Sequence, residues 1–120
     1  MGVISDSANS FQGGLADSIS TGDLPADTVV LNDVGFSQSD EGRAMMELIH
    51  DIAPGADLFF HSVGFSLDDF ARAIRALAAA GSDVIVDDIG FLNEPMFQDG
   101  IVAQAARDVW VGRRSPQNTQ

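Results

Sequence analysis

Four short runs of apolar, β-branched or aromatic residues alternate along this chain with four segments of helical spacing. No other feature limits the fold as tightly. Strand, helix, strand in repeated succession argues for a parallel sheet with helices packed on its faces. Gly2 to Ser5 reads as a short buried strand, and Phe11 to Ser20 as a weak helix with Gly22 as its stop signal. Thr28 to Leu31 is β-branched and predicts a second strand. Between Asp40 and Ile52, residues Met45, Met46, Leu48, Ile49 and Ile52 give one apolar helical face, which Pro54-Gly55 ends. Asp57 to Ser62 is the third strand. Ser66 and Asp69 form a variant capping box for a helix that stops at Gly81. Asp83 to Val86 is apolar on successive residues, as suits a parallel strand covered on both faces. Asp99 to Trp110 is the last helix. The expected fold class is therefore α/β, three-layered, with a parallel sheet of about four strands.

Composition removes several function classes. The formal net charge is -12, and all six cations are arginines. Such a chain repels phosphate backbones and anionic membrane surfaces, so neither nucleic acid nor membrane is expected as a partner. No apolar stretch approaches the roughly 18 to 20 residues of a membrane span. Cysteine is absent, which removes disulfides, thiolate metal sites and cysteine nucleophiles together. Met1-Gly2 leads straight into a strand-like run, without the basic and apolar regions of a signal peptide. His50 and His61 have no metal-ligand spacing. Gly13-Gly14 is too little for a phosphate-binding loop. The third strand ends in His61-Ser62, where a receiver-like module would carry an aspartate. Gly112 to Gln120 is polar and aperiodic and reads as a disordered tail.

Three segments carry a resemblance. They are Val3-Ile4-Ser5-Asp6-Ser7, Glu41-Gly42-Arg43-Ala44-Met45 followed by Ala53-Pro54-Gly55-Ala56, and Gly81 to Gly90. In order and spacing they resemble the first half of the serine peptidases of the subtilase and sedolisin clan, over about residues 2 to 110. The resemblance implies a subtilisin-like fold truncated after about four strands, with residues 1–111 as a partial peptidase domain and 112–120 as tail. Glu41 stands where the subtilase histidine would be, which is the sedolisin arrangement. Sedolisins also place an aspartate one turn later, where this chain has Met45. Asp6 falls near the subtilase aspartate, although Ser5 could take that place. Asp88-Ile89-Gly90 falls on the family's substrate-binding segment, where a peptide lies extended. The family's nucleophile motif and oxyanion-hole residue would follow a fifth strand, and nothing here matches them. Ser115, between Arg114 and Pro116, does not resemble that motif.

The chemistry of the candidates follows from their type. A carboxylate can act as a base toward serine when its pKa is raised toward the working pH, and a second carboxylate nearby does this. Strand C-termini and helix N-termini gather on one edge of a parallel sheet, so Asp6 and Glu41 should meet there. Glu41 is the expected base and Asp6 its partner, in a serine-type endopeptidase domain that is inactive as these 120 residues. A peptide or protein would be the substrate of the completed domain. No cofactor is expected, with calcium open for full-length members, and no metal is expected at Asp87-Asp88, whose spacing is not that of a calcium loop. The family is often secreted. An open sheet edge should favour self-association. The competing expectation is a non-catalytic α/β binding module.

Overall fold

The computed structural model describes residues 1–34 and 39–114. In chain order the elements are β1 (Gly2–Ser5), α1 (Gly14–Thr21), β2 (Val29–Asn32), α2 (Glu41–Ile52), β3 (Phe59–Ser62), α3 (Leu67–Ala79), β4 (Ile85–Asp87) and α4 (Ile101–Arg114). Every strand pairs in parallel, in the order β2-β3-β1-β4. The first strand of the sequence is thus an inner strand, hydrogen-bonded to β3 on one side and β4 on the other.

Side-chain alternation along the strands sorts the core into two halves. Val3, Phe60 and Val86 point to one face and pack with Leu24, Met46 and Leu58 beneath α1 and α2. Ile4, Phe59 and Ile85 point to the other and pack with Phe70, Ile74, Leu77 and Ala105 of α3 and α4. This is a three-layer α/β fold. Ile4, Val3, Phe60 and Leu77 are essentially sealed from water. Each such side chain stabilises the fold by about 1.5 to 3 kcal/mol before entropy is counted.

Local chemistry sets the element ends. Ser66 caps α3 by accepting the Asp69 amide at 3.1 Å, and Asp69 Oδ2 takes the Phe65 amide at 3.1 Å in return. Arg113 extends α4 beyond the expected Trp110, because its guanidinium reaches Asp83 and the carbonyl of Ser82 below β4. Residues 112–114 are accordingly helical, and residues 115–120 of the expected tail lie outside the described residues. Among the described residues no helix is long and apolar enough to cross a membrane.

Candidate functional site

The loop after β1 leaves the middle of the sheet at its C-terminal edge, where open parallel sheets take ligands. Five successive amides in that loop donate to carboxylates. Ser7 N–H donates to Asp6 Oδ1 at 2.5 Å. Ala8 and Asn9 donate to Asp33 Oδ2 at 3.0 and 2.9 Å. Ser10 and Phe11 donate to Asp40 at 2.7 and 2.8 Å. Hydrogen bonds to an ionised acceptor are roughly twice as strong as neutral ones, so the three aspartates hold the loop's shape.

Asp40 is the buried member, 2% exposed, and also accepts the Ser7 hydroxyl at 2.8 Å. It occupies the position before α2, yet its side chain does not cap the helix. A left-handed backbone, φ 50°, turns that side chain back toward Ser10 and Phe11. The helix start is satisfied from the β1 loop instead. Glu41 N–H donates to Asp6 Oδ1 at 3.0 Å, and Gly42 N–H to the Ser7 carbonyl at 3.1 Å. Gly42 permits this close approach. A Cβ there would collide with the Phe60 ring and lie 2.9 Å from the Ser7 carbonyl oxygen.

Asp6 accepts a hydrogen bond from the Glu41 backbone amide, and the Glu41 side chain is exposed at the same corner. Ser39 donates its hydroxyl to Asp6 Oδ2. Comparison with family models, curated proteins and solved structures finds no match. Asp88 joins the corner from β4, accepting the hydroxyl of the fully buried Ser5 at 3.1 Å. Ser5 is two residues beyond Val3 and so faces the α2 side of the sheet. Ile89 turns the other way, into the core beneath α3 and α4, and Gly90 is exposed. The three residues of the expected substrate segment thus have three different surroundings.

Asp33 and Asp40 were not singled out from the sequence, although they hold most of the loop. The one available signal was an aspartate directly before a helix, which reads locally as a cap. Among the described residues no group of three or more His, Asp or Glu is arranged to hold a metal ion. The corner thus holds the exposed Glu41 side chain and the hydrogen-bonded Asp6 carboxylate, which meets the Glu41 backbone amide.

Proposed function

We propose that this chain forms the base-bearing half of a serine-type endopeptidase domain of the subtilase and sedolisin kind. Glu41 would serve as general base, Asp6 as the carboxylate that orients the start of its helix, and Asp88-Ile89-Gly90 as the rest for an extended peptide. The observation that carries this is the Glu41 amide bound to Asp6, which brings the two acids to one corner of the sheet edge. A peptidase of this design also requires a serine and oxyanion donors, and no residue in this chain is assigned to either role. The protein alone should then neither hydrolyse denatured protein nor be labelled by a fluorophosphonate. Resequencing the coding DNA from the Asp99 codon and translating all three frames should reveal a Gly-Thr-Ser-like motif behind a fifth strand. Its absence from every frame, or turnover by the 120-residue protein, would sink the proposal.

One observation favours a second reading, a non-catalytic α/β module. Asp6, Asp33 and Asp40 are all engaged by amides of the neighbouring loop, as a purely structural strand–helix junction would need. Lack of the motif in every frame would move that reading ahead.

A further inference from the structure

β4 ends the sheet, and among the described residues no strand pairs with its outer side. Gly2 N–H donates to the Val84 carbonyl at 2.8 Å, so Val84 and Val86 turn their peptide groups to β1. Successive residues of a parallel strand bond to opposite sides, so Ile85 and Asp87 turn theirs to the open side. The same two residues point their side chains toward α3 and α4. There two cavities lie along the strand. One of about 300 Å³ is walled by Ile74, Ile85, Val109 and Trp110. The other, of about 310 Å³, is walled by Phe70, Ile89, Phe91 and Val102. Asp87 belongs to both walls and stands between them. An apolar void of about 150 Å³ is enough for a benzene ring, so each cavity has room for one large apolar side chain.

The charges along this edge are unbalanced. Among the described residues Arg113 is the one cation in either wall, and Asp83 and the Ser82 carbonyl already hold it. Asp87 accepts the Ile89 amide at 3.2 Å and Glu94 the Ala103 amide at 3.4 Å. Neither carboxylate has an ion-pair partner among the described residues. A strand laid on β4 would set its side chains opposite those of β4, alternating between the two faces. Side chains opposite Ile85 and Ile89 enter the cavities, and the one midway between them lies beside Asp87. The complement is a large apolar residue, any residue, a cation, any residue and a second large apolar residue. That pattern is the same in either chain direction. In this chain it occurs once, from Phe70 through Arg72 to Ile74, and that segment lies within α3.

We infer that the free edge of β4 binds an extended basic segment of another protein, with large apolar residues two positions to either side of its cation. Main-chain hydrogen bonds to Ile85 and Asp87 hold the segment, and the two cavities and the Asp87 carboxylate select its side chains. Of the residues in the peptidase proposal only Ile89 takes part, as a cavity wall, so the inference stands apart from that reading. Trp110 is the single tryptophan in a chain without tyrosine, and it reports on the first cavity directly. The test is a titration with the peptide acetyl-Leu-Thr-Lys-Thr-Leu-amide, read by Trp110 emission and by amide hydrogen exchange. Emission should change saturably, and the Ile85 and Asp87 amides should gain protection. Glutamate in place of the peptide's lysine should weaken binding about fivefold or more at low salt, and Asp87→Lys should reverse that preference. Serine in place of both leucines should abolish saturation. Unsaturable emission, Ile85 and Asp87 amides left unprotected, or a lysine preference that survives Asp87→Lys would overturn the inference. Loss of the peptide's effect as protein concentration rises would give the edge to a second copy and overturn it too.

Discussion

Asp40 has its backbone in a left-handed turn and its carboxylate sealed beneath the loop that follows β1. Asp40→Ala would strip the acceptor from the Ser7 hydroxyl and from two amides at once, and leave Arg43, 3.8 Å away, without its nearest acid. Breaking a buried charged cluster from one side costs about 3 to 5 kcal/mol, and urea unfolding should show a loss of that size. Asp33→Ala frees two amides at a more open place and should cost about 1 to 3 kcal/mol in the same assay. Gly42→Ala sets two effects against each other. Helix propensity favours alanine by up to about 1 kcal/mol, while forcing a methyl against Phe60 and the Ser7 carbonyl costs about 1 to 3 kcal/mol. Net destabilisation is expected, and a variant more stable than the parent would show that α2 can shift. That Asp6 and Glu41 lie at one corner was legible from the sequence, because each sits at the end of an element and parallel sheets bring such ends together. The role of Asp40 was not, because its partners Ser7, Ser10 and Phe11 are remote in the chain and no local spacing relates them.

The helices and strands themselves were read almost in place, for reasons that differ between them. β1, β3 and β4 are apolar on both faces, and that run of residues has few other uses. β2 is an edge strand with Val29 and Leu31 about 40% exposed, and it lies one residue later than its β-branched run suggests. α1 begins at Gly14 rather than Phe11, because Gln12, Gly13 and Gly14 have positive φ and Phe11 is drawn to Asp40. α3 was the most legible, since its capping box is local. Ser66→Ala should lower stability by about 1 kcal/mol near neutral pH. The Ser66 hydroxyl first, then the Phe65 amide and Arg72, hold the Asp69 carboxyl below the usual aspartate value of 3.8. A depressed carboxyl stabilises the fold above its unfolded pKa and loses that contribution as pH falls through the folded one. The gap between parent and Ser66→Ala should therefore narrow below about pH 4 in thermal melts. A gap that stays constant into acid would separate the cap from the carboxylate.

Across the whole molecule, the sheet order leaves β2 and β4 as edges. Val84, just before β4, is 52% exposed, and the β4–α4 connection holds Leu92 and Phe97 almost wholly in water. An apolar strand edge beside exposed apolar side chains is a site for pairing between chains. The sedimentation coefficient should accordingly rise with protein concentration. Val84→Lys should suppress that rise if the edge pairs, and Phe97→Ser if the connection does. A coefficient independent of concentration would show that neither is adhesive.

The inner position of β1 has a consequence for how the protein is made. Residues Gly2 to Ser5 leave the ribosome well before their partners, Phe59 to Ser62 and Ile85 to Asp87. At a synthesis rate of about 5 to 20 residues per second, the first strand must wait several seconds for the third, and longer for the fourth. During that interval Val3 and Ile4, two of the most deeply buried side chains of the finished molecule, have no sheet to enter. The nascent chain is thus at its most vulnerable to chaperones and proteases before β3 has emerged, and its folding is set by the slow pairing of distant strands rather than by its quick local helices.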